Sequence, residues 1–538
     1  DNLVAGKTYT GIYTDTDFKG WSLKSRKPAQ EHQIRLALAT LQCENPADWE
    51  TMLNKTISKV QTDKKAKQKT RQWWNSYWKR SYVFIDSGKI GSDYWKVGRN
   101  YQLFRYMLGC NAYGSEPTKF NGGLFTFDPV HIDSTRVFTP DFRLWGGGTM
   151  TAQNQRLVYF PMLKSGDFDM MKPQFDFYER MLDNAKLRTK VYWNHGGACF
   201  SEQIENFGLP NLAEYDWKPR HEGFPVGVDS NPWLEYTWDT ALEFALMMFD
   251  AHLYNNEPIV PHLPFIESLL TFFDEHYSYL ALRRGTNKLD GDGHLVLYPG
   301  SACETYKMAT NATSTVAALK VITEKLLELP ELYATQREHW SGFLKRIPPI
   351  SYREVQGKKT ISPAKMWERI NNSEVPSLYP VYPWRIYGIG QPELQTAINT
   401  YLYDPEAIEF RSHIGWKQDN IFAACLGLTE EAERLTLLKL SDGPHRFPAF
   451  WGPGFDWTPD HNWGGSGMIG LQEMLLQANG DSILLFPAWP ENRDVHFRLH
   501  APKQTTVEVT LRNNKIEFMQ VEPKTREKDI VICSSHFY

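Results

Sequence analysis

The sequence lacks several features that would quickly assign it to a class of protein. No run of about 18 apolar residues occurs, so the chain predicts no membrane-spanning helix. The six cysteines are widely spaced, with no C-x-x-C and no metal-binding pattern, which argues against a disulfide scaffold and a zinc ribbon. Lys and Arg (59) nearly balance Asp and Glu (63), giving a formal net charge of −4. This balance excludes a global basic surface for a nucleic-acid backbone.

Aromatic residues, by contrast, are abundant. The 19 tryptophans, 26 tyrosines and 30 phenylalanines make up 14% of the 538 residues. Aromatic side chains can fill a large core, and their faces also stack on sugar rings. Because 41% of the residues are hydrophobic and 23% are charged, the composition is that of a globular protein. The composition therefore favours a carbohydrate partner over nucleic acid or membrane.

Helical periodicity dominates the chain between two segments that lack it. Residues 1–45 show no strong period and are predicted to be a linker or the remnant of a domain. Residues 46–480 contain apolar positions at helical spacing, in pairs separated by short breaks and by long loops rich in Gly, Pro and aromatic residues. Residues 481–538 change to short β-type runs. We therefore predict a mainly α protein, a helical toroid with its loops at one rim, followed by a small C-terminal β-sheet module.

One of the long loops carries a carboxylate suited to glycoside hydrolysis. That reaction needs a protonated acid beside the leaving oxygen and a second carboxylate for water or for direct attack. Glu304 stands among small and neutral residues, in Ser301-Ala302-Cys303-Glu304-Thr305, where burial would raise its pKa. The alternative is that Glu304 is a surface charge or the cap of the following helix.

A second loop supplies the partner carboxylate. Asp460 lies between Trp457 and Trp463, and glycines follow it where the backbone must approach something closely. Asp456 is a rival carboxylate in the same loop. The alternative is that Asp460 caps a helix that begins near Ser466.

A third segment combines aromatic residues with amides. Gln153 and Asn154 open an otherwise aromatic helix, and buried amides demand hydrogen-bond partners, so they could hold a sugar hydroxyl or a water molecule. The alternative is an amide satisfied by the backbone. No loop histidine has metal-ligand spacing, and neither a nucleophilic-serine motif nor a phosphate loop is complete, so no metal or cofactor is predicted.

These segments, taken in chain order from Gln153 through Glu304 to Asp460, resemble the inverting α-L-fucosidases of glycoside hydrolase family 95 and the related six-hairpin glycosidases. The stretch 459–477 is similar to the family's I-D-G-N-F-G-G-T-A-G-I-A-E-M-L-L-Q segment. Glu304 falls at the Glu of its S-P-E-N, and Asn154 falls at the second Asn of its N-x-N-L-Q-M-N-Y-W-P. Residues 119–126 resemble its W-N-G-G-L-W. The likeness covers roughly residues 70–500 and is strong only in these islands.

The resemblance implies an (α/α)6 barrel over residues 46–480 and single-displacement hydrolysis with inversion. Glu304 would protonate the departing oxygen, while Asp460, with Asn154, would hold and deprotonate the attacking water. The two carboxyl groups would then lie about 6.5–9.5 Å apart. The residues expected to contact the substrate are Gln153, Asn121, Trp145, Asp141, Arg143, His413, Trp416, Trp457, His461, Asn462 and Trp463.

The chain also departs from the family pattern at positions that would contact the sugar. Ala152 replaces the first Asn of the pair, and His461 replaces the Gly after the Asp. We therefore expect an exo-acting, inverting α-glycosidase that releases an L-fucose- or L-galactose-like terminal sugar from an oligosaccharide or polysaccharide. A glycoside phosphorylase or a polysaccharide lyase on the same barrel, or an inactive glycan-binding protein, are the alternatives. The family acts on exported glycans, which predicts a periplasmic or secreted location.

Overall fold

The computed structural model describes residues 2–13, 16–32, 34, 36–111, 114–135, 137–139, 142–145, 149–210, 220, 222–333, 336–491 and 493–533. The chain forms two compact units. The first comprises Asp1–Arg80 and Asp128–Phe142, and the second comprises Ser81–Phe127 and Arg143–Tyr538. None of the helices in the described part of the chain is long and apolar enough to cross a bilayer.

The first unit contains a β-hairpin and two helices. Strands β1 (Leu3–Tyr13) and β2 (Thr16–Ser25) pair antiparallel, where the sequence predicted a linker or remnant. Most residues of this two-stranded ribbon are exposed on both faces, so its sequence carries no apolar–polar alternation. Helices α1 (Pro46–Thr62) and α2 (Ala66–Arg80) follow; Asn45 caps α1 by accepting a hydrogen bond from the backbone N–H of Asp48 at 3.1 Å.

The second unit is a helical toroid with a sheet module, which confirms the predicted fold class. About 43% of the residues that the structure describes are helical. Strand β3 (Tyr82–Ile85) opens the unit. The helices are α3 (Asp93–Cys110), α4 (Ala152–Ser165), α5 (Phe168–Arg180), α6 (Leu182–Trp193), α7 (Ala241–Asn255), α8 (Leu263–Arg283), α9 (Thr313–Glu328), α10 (Arg337–Arg346), α11 (Leu394–Tyr403), α12 (Pro405–Glu409), α13 (Asp419–Cys425), α14 (Thr429–Lys439) and α15 (His461–Leu475).

Short strands in the loops of the toroid fix those loops in place. Strands β4 (Met150–Thr151) and β5 (Gln203–Ile204) pair just before α4. Strands β6 (Gly300–Ala302) and β7 (Tyr306–Ala309) form a hairpin. The remaining loop strands are β8 (Tyr352–Val355), β9 (Lys358–Ile361) and β10 (Arg369–Ile370), of which β10 pairs with β7.

The C-terminal segment forms strands, where the sequence predicted short β-type runs. The remaining strands are β11 (Leu476–Asn479), β12 (Ser482–Leu485), β13 (Val495–Ala501), β14 (Thr505–Arg512), β15 (Lys515–Glu522) and β16 (Ile530–Ile532). Along β13, Val495, Phe497 and Leu499 are buried while the residues between them are half-buried. The order β15-β14-β13-β3 shows that the sheet takes one strand from early in the chain, which the predicted module of residues 481–538 did not include.

Helices α4 and α15 pack against each other, and glycines allow their close approach. Every residue of α4 is buried. A Cβ atom at Gly465 would lie 1.8 Å from the carbonyl oxygen of Leu157, and one at Gly464 would lie 2.3 Å from the ring of Phe104. The Gly464-Gly465 pair is therefore required by helix packing.

Gly465→Ala is expected to lower the free energy of unfolding by at least ~1–3 kcal/mol, because the new methyl group would meet the α4 backbone rather than a flexible side chain. Urea denaturation followed by circular dichroism measures this change. Gly291→Ala is the matched control, since a Cβ at Gly291 would meet nothing within 4 Å. Equal stability of the two variants would show that α4 and α15 can separate without cost.

Candidate active site

A cavity of about 500 Å³ lies in the second unit, where loops from several parts of the chain meet. Two carboxylates, Glu304 and Asp456, are on its wall. Most of the other lining residues are amides and aromatic rings. The amides are Gln153, Asn154, Gln203, Asn231 and Asn372, and the aromatic residues are Trp145, Trp233, Trp416 and Phe455. Such a lining offers hydrogen bonds to hydroxyl groups and flat faces to a sugar ring.

Three N–H donors hold the side chain of Asp456. Its Oδ1 accepts a hydrogen bond from Trp145 Nε1 at 2.6 Å, and its Oδ2 accepts from Asn154 Nδ2 at 2.9 Å and Asn462 Nδ2 at 2.7 Å. Burial raises the pKa of Asp456 to about 6, and the three donors and the charge of Lys119 limit that rise. Asp456 is therefore mostly ionised at neutral pH and oriented on the cavity wall.

The first turn of α4 presents the two amides predicted from the sequence. The side-chain amide of Asn154 donates to Asp456, and that of Gln153 donates to Glu374. The backbone N–H of Gln153 donates to Oε1 of the buried Glu202 at 2.8 Å, so a carboxylate occupies the N-terminal end of the helix. Both amides line the cavity, and acidic partners fix the orientation of each.

Glu304 stands at the tip of the β6–β7 hairpin. Cys303 has a φ of 53°, in the left-handed region, so the chain reverses between the two strands within three residues. Oε2 of Glu304 accepts a hydrogen bond from Asn372 Nδ2 at 2.9 Å. Burial, and after it the charge of Glu374, raises the pKa of Glu304 to about 8. At neutral pH Glu304 therefore keeps its proton, as a general acid requires.

Asp460 occupies a different position from the one implied by the family resemblance. It is 1% exposed, it is not among the residues that line the cavity, and its Oδ1 accepts the backbone N–H of Trp463 at 3.0 Å as the N-cap of α15. Its Oδ2 has no hydrogen-bond partner among the described residues. Burial and the charge of Asp456 raise the pKa of Asp460 well above its ordinary value. Capping was the alternative interpretation of this residue.

The structure brings some of the other predicted substrate contacts to the cavity and leaves others away from it. Trp145 and Trp416 line the cavity. Asn462 is not among the described lining residues, but it donates a hydrogen bond to Asp456, which is. Asp141 lies outside the described residues. The other predicted contacts absent from the described lining are Asn121, Arg143, His413, Trp457, His461 and Trp463. His461 is wholly buried, and its Nδ1 lies 2.8 Å from the carbonyl oxygen of Lys119.

Sequence reasoning missed four polar residues of the site. Glu202, Glu374 and Asn372 stand in loops, and Lys307 lies in β7. None of the four belongs to a recognisable motif, and their role follows only from the contacts of the folded chain. Lys307 is wholly buried, and its Nζ donates to Ser301 Oγ at 2.6 Å and to Thr237 Oγ1 at 2.9 Å, among other oxygens. Its pKa falls to about 8, chiefly because of burial.

The ammonium groups of buried lysines around the site donate their hydrogen bonds to other groups of the protein. Lys439 donates to the carbonyl oxygens of His413, Gly415 and Lys417 at 2.7–2.9 Å. No Lys, Arg or His belongs to the part of the cavity wall that the structure describes. Among the described residues, Asp290, Asp292 and His294 are close enough together to share a metal ion, and they are not on the cavity wall.

The fold is similar to that of a solved structure named "Putative kojibiose phosphorylase from human microbiome". The two chains share 13% sequence identity and a TM-score of 0.60, over 97% of this chain and 73% of the other. A glycosidase variant in complex with glucose (12% identity) and a wild-type glycosidase (12% identity) each match 71% of this chain and 99% of their own, with TM-scores of 0.44 and 0.45. The first likeness shows a shared fold alone, and the two lower scores support no argument.

Sequence comparison adds one family match. Residues 1–83 match a family model described as a domain of unknown function, DUF5703. No curated protein matches the chain. The matched segment covers the hairpin and both helices of the first unit and the first two residues of β3, and it contains none of the cavity-lining residues described above.

Proposed function

We propose that the protein is a glycoside hydrolase that removes a terminal sugar from an oligosaccharide or polysaccharide by single displacement with inversion. One observation carries this proposal: two carboxyl groups with different hydrogen-bond partners, Glu304 and Asp456, line the same aromatic-walled cavity. Their surroundings raise the pKa of Glu304 to about 8 and that of Asp456 to about 6. A pair of carboxylates whose pKa values are pushed apart is what acid and base roles require.

In the proposed reaction Glu304 is the general acid and Asp456 is the general base. Water attacks the anomeric carbon, and its proton passes to Asp456. The bond between the anomeric carbon and the leaving oxygen breaks, and Glu304 gives its proton to that oxygen. Asn154 donates its N–H to Asp456, which leaves its amide oxygen to accept a hydrogen bond from the water. We assign the base to Asp456 in place of Asp460, because Asp456 lines the cavity and Asp460 caps a helix.

The charge of the cavity favours water over phosphate as the attacking group. The fold neighbour named as a kojibiose phosphorylase makes phosphorolysis the main alternative. A phosphate ion needs cationic or clustered N–H donors, and the described lining contains no Lys, Arg or His. Two nearby ammonium groups, those of Lys307 and Lys439, donate to oxygens of the protein itself. The same lining disfavours a lyase, which needs a cation beside a uronate.

The identity of the sugar rests on the sequence resemblance. The islands similar to glycoside hydrolase family 95 support an L-fucose- or L-galactose-like terminal unit, whereas Ala152 and His461 depart from the family at positions expected near the sugar. A periplasmic or secreted location remains a prediction from the same resemblance.

Incubation of the purified protein with a panel of glycans, with and without inorganic phosphate, tests the proposal. We expect release of a free monosaccharide that does not depend on phosphate. Proton NMR of the fresh product is expected to show the anomer opposite to that of the substrate. Release of a sugar phosphate would establish a phosphorylase, an unsaturated uronate would establish a lyase, and retention of the anomer would contradict the inverting mechanism.

A further inference from the structure

We infer that Glu374 is a positioning residue that holds the acid-bearing hairpin against the first turn of α4, so that Glu304 and the amides of Gln153 and Asn154 keep their relative placement. The inference rests on the proposed function, since it concerns how that same site is held and charged. Glu374 is 3% exposed and does not belong to the described cavity wall, so it acts through its neighbours.

The contacts of Glu374 join the two sides of the site. On the hairpin side, its Oε2 accepts the backbone N–H of Glu304 at 2.9 Å and the hydroxyl of Thr305 at 3.2 Å. On the other side, its Oε1 accepts the side-chain amide of Gln153 and the hydroxyl of Tyr379 at 3.3 Å. One carboxylate therefore bridges the acid loop and the helix that presents the water-binding amides.

The hydrogen-bond directions around Glu374 favour an ionised carboxylate. Thr305 Oγ1 accepts the backbone N–H of Glu374 at 3.0 Å, which leaves its proton for the carboxylate. The hydroxyl of Tyr379 accepts from Arg156 Nη2 at 2.7 Å and Gln418 Nε2 at 3.2 Å, which directs its proton to Glu374 as well. All four contacts are then donors, and a carboxyl proton on Glu374 would find no acceptor among them.

An ionised Glu374 disfavours a second negative charge on the adjacent Glu304. After burial, its charge is the largest cause of the raised pKa of Glu304. Burial raises the pKa of Glu374 too, and Arg156, the N–H of Glu304, Lys417 and Lys307 oppose that rise. The titratable and charged groups that face this pair are Glu202, Lys307, Arg156, Lys417, Asp456, Cys303 and Tyr379.

The pH dependence of kcat/KM distinguishes this role from a merely structural one. In the wild type we expect the basic limb near pH 8, where Glu304 loses its proton. In Glu374→Gln the neighbouring charge is gone, so the basic limb is expected to move to lower pH by about one unit or more. Tyr379→Phe removes one hydrogen-bond donor to Glu374 but keeps the charge of Glu374, so the basic limb of its kcat/KM profile is expected to stay in place. A Glu374→Gln variant that loses activity equally at every pH would overturn the inference.

Infrared titration gives a second readout that does not depend on activity. The wild type is expected to show a protonated carboxyl band that disappears near pH 8 and is absent from Glu304→Gln. The same band is expected to titrate at lower pH in Glu374→Gln. A Glu304 band that titrates near the ordinary Glu value of about 4.3 in the wild type would overturn the inference, even if Glu374→Gln does not fold. If the band behaves as expected but no glycan is cleaved, the proposed function fails and the positioning role stands.

Discussion

Glu304→Gln is expected to slow the release of sugar from a natural glycan by at least ~10²-fold, the usual scale for loss of a general acid. The glutamine keeps the size of the side chain and can still contact Asn372, but it has no proton to give to the departing oxygen. Steady-state rates of monosaccharide release by the wild type and the variant measure the effect.

A substrate with a leaving group that needs no proton provides the control for this prediction. A glycosyl fluoride of the same sugar is expected to be hydrolysed by Glu304→Gln with a much smaller loss, because fluoride departs without protonation. Equal losses on the glycan and the fluoride would show that Glu304 does not act as the acid.

Asp456→Asn is expected to lower kcat on both substrates by at least ~10²-fold, because attack by water requires a base whatever the leaving group is. The asparagine can still accept a hydrogen bond through its oxygen, but it cannot take a proton from water. Initial rates with the glycan and with the glycosyl fluoride measure the loss. The two catalytic roles are thus separated by their response to the leaving group.

Asp460→Asn is the matched control, four residues along the same loop. Asparagine caps helices about as well as aspartate, so α15 is expected to keep its start and activity is expected to stay within a few-fold of the wild type. If kcat falls strongly in Asp460→Asn and little in Asp456→Asn, the general base is Asp460, as the family resemblance implies.

The comparison of Asp456 with Asp460 shows what the sequence could predict about the site. Sequence reasoning pointed to the loop that contributes a carboxylate to the cavity wall, because tryptophans and glycines surround an acid there. The residues alone left Asp456 and Asp460 as rivals, and the family resemblance selected Asp460. Asp460 lies at the start of α15, where the free N–H of Trp463 binds its side chain. Asp456 faces the cavity because Trp145 and Asn154 reach it from about 300 residues away.

The loop that carries Glu304 is a second example of what the sequence could and could not predict. The pattern of small, neutral residues around Glu304 predicted a buried carboxyl. The helix that follows begins at Thr313 with Ala312 at its N-cap, so Glu304 does not cap it. The hairpin that presents Glu304 was not predicted, since its strands are only three and four residues long and lack alternation. Glu374, which fixes that hairpin, follows it by 70 residues and belongs to no recognisable motif.

By itself, the sequence determined the class of fold and the chemical character of the candidate site. Periodicity and caps are local properties, and aromatic and amide side chains keep their chemistry wherever the chain places them. Only the tertiary structure decided which acid faces the cavity and which donors orient it. Those choices depend on contacts between residues far apart in the chain, and on which polar groups a helix terminus or a buried carboxylate has already occupied.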